Sequence, residues 1–299
     1  MSGTADPKSP TQASAGSRHS DGVLRILSLD GGGAKGFYTL GVLKEIEALA
    51  GTPLWQRFDL IFGTSTGAII AALLALGEDV DRVHKLYVQH VPTVMRTEGR
   101  KEKSAALAAL TAGVFGNQQF PDVKTGIGIV ATRWLSEKPM IFKADPAQAH
   151  GRPATFVPGF GVSISDAVQA SCSAFPFFDR KTVTTSSGDQ VELIDGGYCA
   201  INPTLYALAD AVVSMGHPRS QVHVVNVGVG EYPTPKPRTW KIWFVRKLLT
   251  AQLLQKTLEI NTQSMEQRKR SIFHTLCLIC RRDVPGQQGF EVGDALRGG

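Results

Sequence analysis

The sequence of 299 residues predicts an α/β domain in which helices cover a mostly parallel sheet. Two segments in series share one order, an apolar strand, a glycine-rich turn and a helix, and this order is typical of parallel strands joined by crossover helices. Further apolar runs continue the pattern to about residue 230. The hydrophobic content of 42% is enough for one large core. We therefore expect one domain at residues 23–299, after a disordered leader at residues 1–22.

The first unit begins with an aliphatic run at residues 23–29 and ends with a helix at residues 37–50. The run predicts a buried strand, and Leu40 and Leu43 recur at helical spacing in the second segment. Between them lies a loop that starts at Asp30 and contains four glycines, Gly31, Gly32, Gly33 and Gly36. The sequence therefore predicts a glycine loop that connects a strand to a helix.

The Gly-x-Gly-x-x-Gly spacing of this loop also occurs in dinucleotide-binding sites. Such sites need an acidic residue at the end of the next strand, about 20 residues later. Asp59 lies 29 residues after Asp30 and precedes the end of its predicted strand. We therefore interpret the loop as an oxyanion hole, in which the N–H groups of Gly32 and Gly33 would donate to the negatively charged oxygen of a transition state.

The second unit contains a Gly-x-Ser-x-Gly motif at residues 63–67. A strand-like run at residues 58–62 precedes the motif and an apolar helix at residues 68–76 follows it, which is the context that gives the motif its meaning. The two glycines allow a tight turn, and the positive end of the helix dipole favours an alkoxide-like serine. We therefore predict that Ser65 is a nucleophile. The alternative is a helix-capping serine in a glycine-rich turn.

Beyond the second unit, the α/β pattern continues into a basic extension. We predict helices at residues 81–90, 101–112 and 164–170, and strands at residues 127–131, 140–143, 191–194 and 222–229. We interpret residues 101–112 as a surface helix in preference to a mobile lid, and the last strand as buried on both faces. From about residue 233 a proline-rich joint leads to a helical segment in which Trp240 and Trp243 alternate with basic residues. This segment could dock on a membrane or pack on the domain.

Asp195 follows the predicted strand at residues 191–194 and precedes two glycines. The carboxyl ends of parallel strands meet at one edge of a sheet, so we expect Asp30, Ser65 and Asp195 to lie there together. Because a serine nucleophile needs a base, Asp195 is the candidate base. The alternative is an ordinary Ser-Asp-His triad, whose histidine would follow Asp195 in the chain. The three candidates for it are His217, His223 and His274.

The composition favours a protein that meets anionic surfaces in a reducing compartment. A net charge of +6 and a pI near 9.2 favour contact with membrane headgroups or nucleotides. The four cysteines show no disulfide framework, which favours the cytoplasm. Cys277 and Cys280 have CxxC spacing but lack a second pair of zinc ligands, so no metal site is predicted. The sequence has no run of about 18 apolar residues, so any membrane contact would be peripheral.

The ordered combination of these motifs resembles the patatin-like phospholipases, in which a glycine loop, a serine elbow and an Asp-Gly-Gly or Asp-Gly-Ala triplet build a Ser-Asp dyad. The matching glycines are Gly31, Gly32, Gly33 and Gly36 in the loop, Gly63 and Gly67 around Ser65, and Gly196 and Gly197 after Asp195. Residues 170–178 and 197–203 also resemble segments of that family, and the resemblance covers residues 23–230. Lys35 replaces the arginine of many members, and Phe175 replaces a smaller residue.

The resemblance implies a three-layer α/β/α fold and a serine acyl hydrolase that cleaves fatty-acyl esters of membrane phospholipids. Ser65 would attack the ester and Asp195 would remove its proton, with neither a metal nor a cofactor. Two alternatives stay open. One is a constitutive lysophospholipase or general lipid esterase, and the other is a nucleotide-binding regulatory module with a vestigial hydrolase site.

The compact chain also resembles the patatin-like effectors of bacterial anti-phage systems that signal through cyclic oligonucleotides. That resemblance implies activation by a cyclic di- or trinucleotide, assembly into a homo-oligomer on activation, and action at the inner membrane from the cytoplasm. Basic side chains such as Arg96, Arg100 or Lys101 could bind the nucleotide phosphates. Neither DNA nor RNA is expected as a partner.

Overall fold

The computed structural model describes residues 19–151 and 153–230, together with a short strand at Cys277–Ile279. The described residues form one eight-stranded sheet. Its strands are β1 (Leu24–Leu29), β2 (Leu60–Thr64), β3 (Gly126–Arg133), β4 (Pro139–Lys143), β5 (Lys181–Thr184), β6 (Gln190–Asp195), β7 (Val222–Val227) and β8 (Cys277–Ile279). The helices are α1 (Gly36–Ala50), α2 (Leu54–Arg57), α3 (Thr66–Ala75), α4 (Val80–Arg96), α5 (Arg100–Phe115), α6 (Ile164–Ser171), α7 (Gly197–Ala200) and α8 (Thr204–Ala209).

The sheet is mostly parallel, as predicted. Five strands run parallel in the order β3, β2, β1, β7 and β8. Strands β4 and β6 run antiparallel to β3, and β5 runs antiparallel to β6. The sequence analysis did not identify β5, a short strand in which only Val183 is buried. Hydrophobic patterning thus predicted strands in both halves of the sheet, including β4 and β6 of the antiparallel half. Besides β5, it did not predict the three-residue strand β8 of the parallel half.

Helices cover both faces of the sheet, which gives the expected three layers. Side chains alternate across a strand, so Leu27 and Leu29 of β1 point to one face and Leu24 and Ile26 to the other. The first pair belongs to a large apolar core that also contains residues of α1, α3, α4, α5 and α6. The second pair packs in a smaller core with residues of α8. All six residues of β1 are buried, as expected for a central parallel strand.

The long helix α5 is a packed element and not a lid. Leu107, Leu110 and Phe115 are buried in the large core, while Lys101 at the start of the helix is exposed. The interpretation of residues 101–112 as a surface helix is therefore confirmed. The last predicted strand differs from its prediction, because His223 in β7 is exposed.

Several predicted features lie outside the described residues. They are most of the leader, the extension that begins near residue 233, His274 and Cys280. Among the helices that the structure describes, none has the length and apolar character needed to cross a membrane.

Strands β2 and β6 meet end to end along one edge of β3. Strand β4 pairs with β3 over residues 128–132, and these overlap the β3 residues that pair with β2 and with β6. A strand has only two edges, so β2 and β6 must share the edge opposite β4. Thr64, at the end of β2, pairs with Val130, and Asp195, at the end of β6, pairs with the next residue, Ala131. Because the two strands run in opposite directions, their carboxyl ends face each other.

This arrangement corrects the reason given for placing Asp195 at the site. The sequence analysis expected Asp195 at the end of a strand parallel to β2, but β6 runs antiparallel to β3 and therefore to β2. The predicted neighbourhood of Ser65 and Asp195 is nevertheless present, because the opposed strands end on adjacent residues of β3.

Candidate active site

Ser65 lies at the sharp turn between β2 and α3. Its backbone has φ 52° and ψ −121°, a conformation that residues other than glycine rarely adopt. The flanking glycines make the turn sterically feasible. A Cβ atom on Gly63 would lie 2.2 Å from the carbonyl oxygen of Gly67, and one on Gly67 would lie 2.3 Å from that of Leu29. The motif therefore forms the strained elbow that the sequence predicts, with α3 beginning at the next residue.

The side chains of Ser65 and Asp195 are joined by a hydrogen bond. Ser65 Oγ donates to Oδ2 of Asp195 over 2.6 Å, and the N–H of Gly197 donates to Oδ1 over 2.7 Å. Asp195 is only 6% exposed. Burial raises the pKa of Asp195 to about 6, against the opposing effect of the two hydrogen bonds. A carboxylate with this pKa is a stronger base than an exposed aspartate and is still ionised at neutral pH.

The glycine after Asp195 is needed for close approach to β3. A Cβ atom on Gly196 would lie 2.1 Å from the carbonyl oxygen of Val130, so a larger residue would push the end of β6 away from β3. Gly197, the first residue of α7, supplies the N–H group that binds the carboxylate. The triplet that sequence analysis treated as a motif therefore has two separate physical functions.

The glycine loop passes directly beside Ser65. A Cβ atom on Gly31 would lie 3.2 Å from the Cβ of Ser65. Within the described part of the chain, the N–H of Gly31 donates to Ile201, whereas those of Gly32 and Gly33 donate to no acceptor. The carbonyl oxygen of Gly33 accepts hydrogen bonds from the hydroxyls of two buried residues, Thr66 over 2.7 Å and Tyr87 over 2.9 Å. The hydrogen bonds to the Gly33 carbonyl oxygen thus hold the loop in place. The N–H groups of Gly32 and Gly33 are left to donate to an acceptor outside the described residues.

Asp30 anchors the start of this loop to β7. Asn226 donates from Nδ2 to Oδ1 of Asp30 over 2.8 Å, and Asn202 donates to the Oδ1 of Asn226 over 2.9 Å. All three side chains are buried. Asp30 lies at the predicted edge of the sheet, but its carboxylate is bound to a neighbouring strand. The sequence analysis did not identify Asn226, whose amide is recognisable as functional only from this contact.

Ser171, at the end of α6, contacts both sides of the dyad. Its Oγ accepts the N–H of Ser65 over 2.9 Å and donates to a carbonyl oxygen of β3 over 2.5 Å. Its own carbonyl oxygen accepts the N–H of Gly196 over 3.2 Å, and that of Ser173 accepts the N–H of Asp195 over 2.9 Å. Ser171 is fully buried. The end of α6 therefore holds Ser65 and Asp195 in a fixed relative position, a role that the sequence alone did not reveal.

We expect Ser171→Ala to lower kcat by about 10- to 100-fold and to change KM by less than about twofold. The substitution leaves the N–H of Ser65 buried without an acceptor, and displacements of about 1 Å at a nucleophile have effects of this size. Steady-state kinetics on a soluble ester measures both constants. Ser173→Ala is the matched control, because in the part of the chain that the structure describes its buried hydroxyl donates to the carbonyl oxygen of Gln169 in α6 and to no other group. An equal loss of kcat in both variants would contradict the positioning role.

The histidines named as alternatives do not complete a triad in the described residues. His223 pairs with Arg25, the second residue of β1, and therefore lies near the opposite end of that strand from Asp30. The backbone N–H of His217 donates to the carbonyl oxygen of Ala211 on the smaller-core side of the sheet.

Cys172 is close to the dyad. Its burial, together with the charge of Asp195, raises the pKa of the Cys172 thiol. No three histidine, cysteine, aspartate or glutamate side chains cluster as metal ligands among the residues with described positions.

Comparison with known proteins finds a family whose model matches most of the described residues. The model of the family described as "Patatin-like phospholipase" matches residues 27–208, a range that includes the glycine loop, Ser65 and Asp195. The chain is 62% identical over 259 residues to an Escherichia coli protein named "cUMP-AMP-activated phospholipase", with 87% of this chain and 81% of the relative covered.

A second relative and one solved structure show more distant similarity. The "cGAMP-activated phospholipase" of Vibrio cholerae is 30% identical over 70% of this chain and 65% of its own length. The crystal structure of VipD from Legionella pneumophila matches with a TM-score of 0.46 and 13% identity, covering 91% of this chain and 65% of VipD.

Proposed function

This chain belongs to the patatin-like phospholipase family of serine acyl hydrolases, and we propose that it cleaves fatty-acyl esters of membrane phospholipids with Ser65 as nucleophile and Asp195 as base. The observation that carries this assignment is the 2.6 Å hydrogen bond from Ser65 Oγ to a buried carboxylate at the tip of a strained elbow. A nucleophile and a base within hydrogen-bond reach are the minimum for covalent acyl transfer.

In the first half of the reaction, Asp195 accepts the proton of Ser65 Oγ as this oxygen attacks the ester carbonyl carbon. The carbonyl oxygen becomes an oxyanion, and the N–H groups of Gly32 and Gly33 donate to it. Collapse of the tetrahedral intermediate breaks the ester bond, and the protonated Asp195 gives its proton to the leaving lysophospholipid oxygen. The fatty acyl group stays on Ser65 as an ester.

Water completes the reaction by the same groups. Asp195 accepts a proton from a water molecule, which attacks the acyl carbon and forms a second oxyanion in the glycine loop. When this intermediate collapses, Ser65 Oγ leaves, recovers the proton from Asp195, and a fatty acid is released. Helix α3 begins at Thr66, and the positive end of its dipole favours negative charge on Ser65 Oγ in both halves of the reaction.

Product analysis tests the assignment directly. The purified chain is incubated with diacyl phospholipid vesicles, with cUMP-AMP present, and the lipids are identified by mass spectrometry. We expect free fatty acid to appear together with lysophospholipid or deacylated headgroup. Cleavage of lysophospholipid alone would favour the lysophospholipase alternative, and nucleotide binding without any lipid cleavage would favour the regulatory module.

We expect the rate of ester hydrolysis to fall as the pH is lowered through the pKa of Asp195, which burial raises to about 6. Below that pH the carboxyl is neutral and cannot accept the proton of Ser65, so kcat/KM should decrease about tenfold per pH unit. A pH profile on a soluble ester measures this, with circular dichroism at each pH to verify that the protein is folded. A flat profile down to about pH 5 would exclude Asp195 as the base.

The proposal includes control of the enzyme by a cyclic oligonucleotide. The relative with 62% identity over most of both chains is named for activation by cUMP-AMP, and this makes cUMP-AMP the first activator to test. The three basic residues proposed for phosphate contacts, Arg96, Arg100 and Lys101, are all exposed, and Arg100 also forms an ion pair with Asp179 over 2.7 Å. We propose that activation is accompanied by homo-oligomerisation, and that the active enzyme works at the inner membrane from the cytoplasm as part of anti-phage defence.

A further inference from the structure

Two neighbouring loops expose bulky apolar side chains at one side of the sheet. Leu135, in the turn between β3 and β4, is 85% exposed, and Trp134 beside it is 36% exposed. Phe177, in the loop between α6 and β5, is 46% exposed, and Phe175 in the same loop is half-buried. We call these four residues the apolar rim. Exposed apolar side chains that lie singly are common on proteins, but a contiguous group marks an interaction site.

The apolar rim adjoins the Ser65–Asp195 dyad. The N–H of Asp195 donates to the carbonyl oxygen of Ser173, and Phe175 follows two residues later, at most about 7 Å further along the chain. The hydroxyl of Tyr198, three residues after Asp195, donates to the carbonyl oxygen of Phe175. On the other side, Trp134 donates from its backbone to Glu192 of β6 over 2.9 Å. The apolar surface and the reacting groups therefore lie in one continuous region.

Two rings of the apolar rim, those of Trp134 and Phe175, contact each other and a cation. Trp134 and Phe175 have ring centroids 5.4 Å apart. The guanidinium group of Arg180 lies over both rings, 4.9 Å from the Trp134 centroid and 5.8 Å from that of Phe175, and forms an ion pair with Glu192 over 3.1 Å. These contacts fix the Trp134 and Phe175 rings relative to each other and place a cation at their level.

We propose that the apolar rim is the surface through which this enzyme docks on a phospholipid bilayer. The proposal rests on the function proposed above and names the part of the chain that contacts the substrate membrane. Tryptophan and arginine suit the boundary between headgroups and acyl chains, where a ring needs apolar contact and a guanidinium can bind lipid phosphate. Leu135 would extend furthest into the acyl region. Docking there presents the ester bonds of the bilayer to Ser65 without extraction of a lipid across solvent.

The first test measures vesicle binding in the Ser65→Ala background, so that the lipid is not consumed. Full-length protein is sedimented with vesicles of phosphatidylethanolamine and phosphatidylglycerol in the presence of cUMP-AMP. We expect Leu135→Ser, and separately Trp134→Ser, to reduce partitioning about tenfold or more, because each removes apolar surface that would enter the acyl region. Val213→Ser is the matched control: Val213 is 72% exposed but lies in the π-helical turn Asp210–Ser214 beside the smaller core.

Binding by Leu135→Ser and Trp134→Ser at the level of Val213→Ser would overturn the proposal. So would a change in oligomeric state of the Leu135 variant without lipid, measured by light scattering, if its vesicle binding stayed normal, because the rim would then be an interface between copies of this chain.

Hydrolysis assays separate failure of docking from failure of the proposed function. In the Ser65-containing enzyme, Leu135→Ser should lose about tenfold in vesicle hydrolysis and keep its rate on a short-chain ester that is soluble as a monomer. Equal loss on both substrates would overturn docking, since the change would then act on the dyad itself. If the unsubstituted enzyme binds vesicles through the rim but cleaves no phospholipid in them, the docking surface stands and the proposed substrate is wrong.

Discussion

Replacing Ser65 by alanine or Asp195 by asparagine is expected to reduce ester hydrolysis by about 10,000-fold or more, and the double variant should be no worse than either single one. The reason is that the two side chains act as one unit: without the hydroxyl there is no acyl acceptor, and without the carboxylate the proton of Ser65 has no base within reach. The measurement is kcat/KM on a soluble ester and on phospholipid vesicles. Substantial activity in either single variant would exclude the dyad.

The free energy of unfolding of Asp195→Asn shows whether this variant is folded. Because burial raises the pKa of Asp195 from 3.8 to about 6, the folded state binds a proton more tightly than the unfolded state. The native protein therefore loses stability as the pH rises from about 4 to about 6, and the full loss is present above pH 6. The neutral amide avoids this cost. At neutral pH the variant should therefore be more stable than the wild type, by up to about 3 kcal/mol, and the difference should disappear below about pH 4. Thermal unfolding at the two pH values would distinguish this outcome from loss of activity through misfolding.

Addition of cUMP-AMP is expected to raise phospholipid hydrolysis by about 100-fold or more over the enzyme alone. Under the function proposed above, the enzyme acts inside its host cell, where constant cleavage of phospholipid would damage the membrane, so we expect the active state to be rare without a signal. Moving a population from about 1% to 99% active requires a ligand that binds the active state about 10,000-fold more tightly, which corresponds to roughly 5.5 kcal/mol. Nucleotide contacts shared between subunits could supply this difference.

A panel of cyclic nucleotides measures the response with a fluorogenic phospholipid as substrate. It includes cUMP-AMP, cGAMP and a cyclic trinucleotide, with linear UMP and AMP as controls for nonspecific effects. Light scattering on the same samples reports whether the chain assembles when activated. Full activity without nucleotide, and no response to any member of the panel, would leave a constitutive lipase and exclude the effector function.

The parts of this site that could be predicted from the sequence are motifs with local steric requirements. The elbow at Ser65 needs glycines at 63 and 67 because the obstructing carbonyl oxygens belong to the same strand, turn and helix or to the adjacent strand. The glycine loop and the triplet after Asp195 were recognisable for the same kind of reason. Their order along the chain was then enough to indicate the family, which the comparisons confirm.

The parts of the site that could not be predicted from the sequence depend on contacts between distant segments of the chain. The role of Ser171 depends on a hydrogen bond to Ser65 across 106 residues, and that of Asn226 on a bond to Asp30 across 196. A serine at the end of a helix and an asparagine in a strand have many structural uses, so neither residue type indicates its role. The apolar rim likewise joins loops about 40 residues apart, each unremarkable in isolation.

The sequence by itself determined the strand, turn and helix units and the mostly parallel sheet, because these follow from hydrophobic periodicity and from steric needs within a few residues. Ser65 and Asp195 became the candidates through the Gly-x-Ser-x-Gly motif, the need of a serine nucleophile for a base, and the order of motifs that the chain shares with its family. Only the tertiary structure decided how the two side chains meet. Strand β6 runs antiparallel to β3 and ends opposite Ala131, while β2 ends opposite Val130 on the same edge, and this head-on pairing brings a serine and an aspartate 130 residues apart to 2.6 Å. Strand direction and register are set by pairing and by packing on both faces of the sheet, which hydrophobic pattern along a single strand does not encode.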